Sequence, residues 1–365
     1  MLKGVEWGEY RLGDLFEILS SRKRFDANKV VFSDNGHPYI VRIGQNNGVK
    51  GYIEEDEMFL NEGNTIALGQ DTATVYYQEK PYFTGDKIKI LKAREPLFGK
   101  HNANFFVTAI RRTLCSFSWG SCSFNVDVLK AQRVLLPTYN GAIDYAFMEC
   151  FVGRLKQQYV ERLNAYLTAT GLKDYMLTPE EKQLLRDLEQ GKLEWGEYRL
   201  GDLFEIASSR RRFDANKVLL SDNGYPYIVR IGQNNGVKGY IEEDVAFLNE
   251  GNTIAFGQDT ATVYYQEKPY FTGDKIKILK ARSPLFARQN AFFVIAAMQR
   301  TFSSFSWGSR SFNTEVLNTQ KLSLPTHNDK PDYEKMELLI AAVQKLVIRD
   351  VVLYAEREEE ATRQV

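Results

Sequence analysis

A single register shift organises this chain. The segment Glu6-Trp7-Gly8-Glu9-Tyr10-Arg11-Leu12-Gly13-Asp14-Leu15-Phe16-Glu17-Ile18 returns as Glu194 through Ile206, an offset of 195 − 7 = 188 residues. The register holds without net insertion through Pro137 and Pro325, with about four positions in five identical. From Gly69 to Arg94 the match with Gly257 to Arg282 is complete. A period of this length means that one folding unit is written twice. Chemistry carried by the unit must therefore recur in both copies.

The length of 365 residues and an apolar content of 44% let each half bury a core of its own. No stretch approaches the ~20 consecutive apolar residues of a membrane span, and Met1 to Glu6 is no signal peptide. Of the three cysteines, Cys115 and Cys122 align with Ser303 and Arg310, so neither is required by the fold. That pattern points to a reduced, cytoplasmic protein. The net charge of zero excludes a generic nucleic-acid sponge. Residues 1–140 carry 18 Lys and Arg against 16 Asp and Glu, and residues 189–328 carry 17 against 15. Contact with nucleic acid must then come from local patches, or be helped by a more basic partner.

Each copy reads as mixed α and β. Pro38 to Ile43 predicts a strand, Asn46-Asn47-Gly48 a turn, and Val49 to Ile53 the returning strand. Asn64 to Leu68, Thr74 to Tyr77 and Lys87 to Leu91 are further strands, rich in β-branched and aromatic residues. Residues from about 96 to 114 predict a helix, and Val134 to Pro137 a short closing strand that Pro137 ends.

After each domain the period changes. Met148, Phe151, Val152, Leu155, Tyr159, Leu163 and Tyr166 form one apolar stripe on a long helix ending by Gly171. Shifted by 188, the stripe returns as Met336, Leu339, Ile340, Val343, Val347, Val351 and Tyr354. Two such helices are expected to pack against each other, antiparallel, as a spacer; the alternative is that each stripe docks on its own domain. Thr178-Pro179-Glu180-Glu181 starts a connecting helix that runs to about Gln190. The fold class is α+β: two tandem, nearly identical mixed α/β domains, residues 1–140 and 191–328, each followed by a helical segment, residues 141–190 and 329–365.

Catalytic chemistry fails the test of recurrence. His37, His101 and His327 align with Tyr225, Gln289 and Tyr139, so the copies share no histidine. No Cys/His spacing suits zinc, no glycine-rich loop matches a phosphate cradle, and no amino-methyltransferase signature is present. Asp71/Asp259 and Asp86/Asp274 do recur, but their settings read as turns in which Asp bonds its own backbone.

What both copies share is a set of polar loops. Arg22-Lys23-Arg24 returns as Arg210-Arg211-Arg212, cations beside an aromatic that suit phosphate contact or readout of guanine. Gln45-Asn46-Asn47, with Lys50 close by, returns as Gln233-Asn234-Asn235 and Lys238. Such amides can pair with adenine, although Asn-Gly is also ordinary turn chemistry. Gln70-Asp71-Thr72 with Thr74 is unchanged as Gln258-Asp259-Thr260 with Thr262. Trp119 and Ser121 return as Trp307 and Ser309, followed by Arg310 in the second copy only. Together these residues make up the candidate DNA-binding set.

This order of domain, long helix, domain, long helix resembles the specificity subunit of type I and type IIB restriction–modification systems. The resemblance covers nearly the whole chain. It is carried by the Trp-x-x-x-x-Leu-x-x-Leu-Phe-x-Ile opening at Trp7 to Ile18 and Trp195 to Ile206, by Glu62-Gly63-Asn64-Thr65-Ile66, and by Leu136-Pro137 and Leu324-Pro325. The resemblance implies a chain without catalytic activity or cofactor that reads a split site on double-stranded DNA. It further implies helices that dock two DNA methyltransferase subunits, whose cofactor is S-adenosylmethionine, and a nuclease or motor subunit in some assemblies. The helices are short and the domains nearly identical, unlike the commoner type I pattern; the former leans toward a compact type IIB-like assembly. Near-identity implies matching half-sites, an interrupted palindrome whose half-sites are spaced by ~10 bp. The neutral charge and many tyrosines leave a duplicated glycan- or protein-binding module as the alternative.

Overall fold

The duplicated opening segment folds into a strand, one helical turn and a second strand: β1 (Glu6–Arg11), α1 (Leu12–Leu15) and β2 (Phe16–Ser20). A computed structural model describes residues 2–115, 125–303 and 312–363 of the chain. The first copy continues through β3 (Phe32–Ile40), β4 (Val49–Ile53), β5 (Thr65–Gly69), β6 (Val75–Gln78), β7 (Phe83–Thr84) and β8 (Ile88–Ala93). Then follow α2 (Ala103–Leu114), α3 (Val126–Ala131), β9 (Arg133–Tyr139), β10 (Ala142–Ile143) and the long helix α4 (Tyr145–Ala169). A connecting helix, α5 (Pro179–Glu189), leads into β11 (Trp195–Arg199), α6 (Leu200–Leu203), β12 (Phe204–Ser208), β13 (Tyr225–Ile228) and β14 (Val237–Ile241). The second copy goes on through β15 (Thr253–Gly257), β16 (Val263–Gln266), β17 (Phe271–Thr272), β18 (Ile276–Ala281) and α7 (Arg288–Phe302). It closes with α8 (Thr314–Thr319), β19 (Lys321–His327), β20 (Lys330–Pro331) and the long helix α9 (Tyr333–Arg363). Two compact units result, Met1–Leu163 with Glu358–Val365, and Asn164–Arg357.

Each copy builds three small sheets in the same order. In the first they are β2-β8-β5-β6, β4-β3-β7 and β1-β9-β10; in the second, β12-β18-β15-β16, β14-β13-β17 and β11-β19-β20. The strand β5 is buried along its whole length because both faces of its sheet are covered. Ile66 and Leu68 point into the large cluster with Phe16, Phe106 and Met148. Ala67, between them, points into a second cluster with Ile40, Tyr82, Ile88 and Ile90. Thr65 donates its hydroxyl to the Glu62 carbonyl at 2.9 Å. The fully buried Tyr82 therefore donates to Thr65 Oγ1 at 3.0 Å, and burial raises the phenol's pKa.

The strand expected over Pro38 to Ile43 ends at Ile40, which leaves Arg42 just past it. Three further elements depart from the sequence reading. The helix expected from about residue 96 begins only at Ala103, and Asn102 before it donates to Leu97 O at 2.8 Å and accepts from Gly99 N at 3.0 Å. In the second copy Asn290 makes the same two bonds, to Leu285 O and from Ala287 N, yet the equivalent helix starts three positions earlier, at Arg288. Pro137 does not end its strand. Paired with Trp7, it lies inside β9. Its carbonyl accepts from Asp144 N at 2.9 Å on the β10 side, so its missing N–H lies on that side too and removes no bond to β1. The third difference concerns the apolar stripes. On α4 the buried residues are Met148, Val160 and Leu167, while Leu155, Tyr159 and Tyr166 are exposed. On α9 they are Tyr333, Met336, Leu339, Ala342, Val352 and Ala355, while Val343, Val347, Val351 and Tyr354 face outward. Of the predicted stripes only Met148, Met336 and Leu339 are buried; the other buried residues of both helices lie outside them.

The helices are tied within each unit. In the first, Lys156 Nζ meets Glu358 Oε2 at 2.5 Å. In the second, α5 begins with the expected capping box, Thr178 accepting from Glu181 N and donating its own N–H to Glu181 Oε2. The same carboxylate, almost fully buried, receives Lys345 Nζ at 3.0 Å. Among the described residues no helix is long and apolar enough to cross a membrane.

Phe204, 1% exposed and edge-on to Phe286 at 5.3 Å, anchors the second large cluster. Phe204→Ala is expected to cost about 3–5 kcal/mol. Calorimetry should show it as an earlier transition of the second unit, with the transition of the first unit unchanged.

Candidate nucleic-acid interface

Strand register brings three separate segments to one end of the four-stranded sheet. β5 and β8 are antiparallel with Gly69 opposite Ile88, so the loop after β5 and the residue before β8 leave at the same end. Gln70 N accordingly donates to Lys87 O at 3.0 Å. β7 runs parallel to β3, and Gly85 N donates to Ile40 O at 2.8 Å, which sets Arg42 beside residues 85–87. A bridge between Arg24 and Thr84, with Phe25 N donating to Thr84 O at 3.0 Å, adds the cationic segment.

At this junction Asp71 joins two cations. Its Oδ2 accepts from Arg42 Nη1 at 3.0 Å and Lys87 Nζ at 2.6 Å. The hydrogen bond from Lys87, with lesser help from Arg42, holds the carboxyl below the usual aspartate range. In the second copy Asp259 repeats the arrangement with Arg230 at 2.8 Å and Lys275 at 2.6 Å. Asp86 likewise accepts from Arg24 Nη1, and Asp274 from Arg212 Nη1, both at 2.9 Å. The expectation that these aspartates serve their own turns is corrected: they bind cations distant in sequence. Gly69 makes room for the cluster. A Cβ there would strike Thr74 Oγ1 and lie 2.6 Å from Thr72 Oγ1 and 3.0 Å from Arg42 Cγ.

The adjacent cations diverge. Arg22 reaches Glu62 at 3.8 Å, Lys23 sits over the rings of Phe25 and Phe59 at 4.7 and 4.3 Å, and Arg24 holds Asp86. Arg210, Arg211 and Arg212 do the same with Glu250, the rings of Phe213 and Phe247, and Asp274. More than half exposed, the ion pairs of Arg22 and Arg24 and of their counterparts contribute about 0–1 kcal/mol each and exchange readily.

The hairpin amides divide as well. Asn46 and Asn47 both adopt left-handed backbone, at φ 49 and 52°. Their Nδ2 groups donate to Val49 O and Tyr77 O, each at 2.9 Å, and Asn234 and Asn235 bond Val237 O and Tyr265 O at the same distance. Gln45 and Gln233, by contrast, are exposed at the start of the turn. The hydroxyls of Thr72 and Thr74 pair at 3.0 Å, those of Thr260 and Thr262 at 2.9 Å. Gln258 Nε2 donates to Phe312 O at 2.9 Å, and Lys238 Nζ to Ala215 O at 3.0 Å. Trp119, Ser121, Trp307, Ser309 and Arg310 lie outside the described residues.

In the second copy an open concavity of 1170 Å³ gathers Arg212, Gln233, Asn234, Lys238 and Thr260 from the expected set. It leaves Arg210, Arg211, Asn235, Gln258, Asp259 and Thr262 out of its lining and adds Arg230 and Asp274. Every residue lining it has an identical counterpart 188 positions earlier. Arg42/Arg230 and Lys87/Lys275 were missed from sequence; the signal was a lone charge in an otherwise apolar strand, Tyr39-Ile40-Val41-Arg42-Ile43. Among the described residues no group of His, Cys, Asp or Glu is arranged to hold a metal ion.

Because its pKa is lowered in the fold, Asp71 stabilises the native state at neutral pH, and that contribution declines as pH falls from the ordinary aspartate range through the lowered value. An NMR titration of the Asp71 carboxyl carbon is expected to give a midpoint below the ordinary 3.8. A midpoint at or above it would mean that the ion pairs do not form in solution.

Comparison with known proteins bears on both copies. Over 350 residues the chain is 24% identical to the Type II restriction enzyme BgcI specificity subunit S.BcgI of Heyndrickxia coagulans, covering 94% of this chain and 96% of that one. Its fold is similar to the crystal structure of a type I restriction-modification system S subunit from M. genitalium. That match has a TM-score of 0.63 and 14% identity, and covers 99% of this chain and 94% of the other. Residues 4–165 and 192–349 each match the type I restriction modification DNA specificity domain. With that domain present twice, the chain belongs to the family of restriction–modification specificity subunits.

Proposed function

We propose that this chain is the non-catalytic reader of its complex, binding two half-sites on double-stranded DNA with one domain each. The observation that carries the reading is the polar concavity, whose lining residues recur without change in both copies. Exposed cations in exchangeable ion pairs supply phosphate contacts, and the concave face supplies donors for base edges. Since the linings are identical, the two half-sites are the same sequence on opposite strands, spaced by on the order of 10 bp.

The uncovered rows on the long helices are the docking faces for two DNA methyltransferase subunits. Leu155, Tyr159 and Tyr166 recur as Val343, Val347 and Tyr354, so one kind of partner surface fits twice. The partner carries S-adenosylmethionine and performs the methylation in the cytoplasm, and a nuclease or motor function joins through it. In this assembly the chain's own residues orient the DNA.

Methylation mapping of host DNA is expected to return an interrupted palindrome. Two unrelated half-sites would sink the reading of equal domains. For the docking faces, Tyr159→Glu combined with Val347→Glu is expected to abolish co-purification of the methyltransferase without shifting the melting of either unit. Undiminished capture by the double variant would place the partner elsewhere.

A further inference from the structure

Of all the cations near the concavity, one is built differently. Arg24 and Arg212 stand at the surface, 67% and 66% exposed, on ion pairs that any phosphate can replace. Lys23 and Arg211 stack on paired rings. Arg42 and Arg230 are only 30% exposed, and their stems lie where a glycine, Gly69 or Gly257, leaves no Cβ to push them away. One guanidinium nitrogen, Nη1, is fixed on the Asp71 or Asp259 carboxylate. Nε and Nη2 have no partner among the described residues, and Arg230 shares its concavity with the exposed amide of Gln233.

We infer that Arg42 and Arg230 are the base-reading cations of the two half-sites, and that Asp71 and Asp259 are positioning residues that hold them in reading geometry. The inference rests on the DNA-reading proposal. Guanine presents O6 and N7 as two neighbouring acceptors in the major groove, the pattern that two adjacent guanidinium donors match. A long side chain normally loses rotamer freedom on binding; one already held by a carboxylate and a packed stem loses less, so more of the pairing energy appears as discrimination. The carboxylate also matters for selectivity between base and backbone. With Asp71 between Arg42 and Lys87, one of two positive charges is neutralised, which weakens the pull of a phosphate and leaves directional donors.

The test uses the full chain with the methyltransferase that co-purifies with it, and a pool of randomised duplex DNA. Arg230→Gln, with Arg42 intact, is expected to erase one guanine preference in one half-site and leave the other half-site unchanged. Affinity for the selected site should fall ~10–100-fold, with no change in the salt dependence of binding. Asp259→Asn should relax the same position to a lesser degree. A motif and affinity unchanged in Arg230→Gln would overturn the inference. So would a loss spread evenly over all sequences with a salt slope shallower by about one, the mark of a phosphate contact. If Arg230→Gln melts early, Arg230→Met decides: it keeps the packed stem but has no donor, and a guanine preference retained in it counts against base reading. Wild-type complex that selects no sequence at all would instead refute DNA reading itself.

Discussion

Burial of one strand on both faces governs each domain. β5 in the first copy and β15 in the second have no solvent-facing residue, so each must be covered on one side by a helix and on the other by the hairpin layer. The helix side holds Ile66 and Leu68 against Phe106, and the hairpin side holds Ala67 against Ile40 and Tyr82. Once both layers are docked, the polar loop after β5 has one place to emerge, at the open end of the sheet beside the β7–β8 turn. The Asp71 cluster follows from that placement. Its carboxylate can bridge Arg42 and Lys87 only because Gly69 lies opposite Ile88 and Ile40 opposite Thr84.

The duplication allows two kinds of constraint to be compared within one molecule. On the helix side the copies have drifted: Leu68, Phe106, Ile110 and Leu114 stand where the second copy has Phe256, Val294, Met298 and Phe302. Both sets are buried and both fill their cluster, as expected when volume and polarity rather than particular atoms are required. On the polar side no lining residue has changed. Hydrogen-bonding geometry tolerates no such exchange, since a donor moved by one methylene loses its acceptor. The apolar clusters of the hairpin layer are likewise unchanged, so the identity extends through the part of each domain that carries the polar loops.

Much of the scaffold was legible because periodicity and local chemistry are short-range. The hairpin at Asn46-Asn47-Gly48, the capping box at Thr178 and the long helices all follow from neighbours a few residues apart. The errors have a common cause. Pro137 lacks an N–H and by itself suggests a strand end, yet the side of the strand on which that loss falls is a matter of pairing. The apolar stripes of α4 and α9 looked like single packing faces, but which rows are covered depends on what lies against them. Asp71 looked like a turn residue, while its partner Arg42 lies 29 positions away. Both were in plain view; nothing local joined them.

The sequence by itself determined that there are two nearly identical domains, that they share polar loops but no histidine, and that long helices follow each. Those conclusions need only identity, composition and period. Tertiary structure decided which of those loops form one surface, and which of their side chains are already committed. Asn46, Asn47 and their counterparts hold the hairpin, whereas Arg42 and Arg230, just past the ends of β3 and β13, stand in the concave site or at its equivalent. The physical reason is that a hydrogen-bonding group's availability depends on its partners, and those partners are brought together by strand register across the sheets rather than by proximity along the chain.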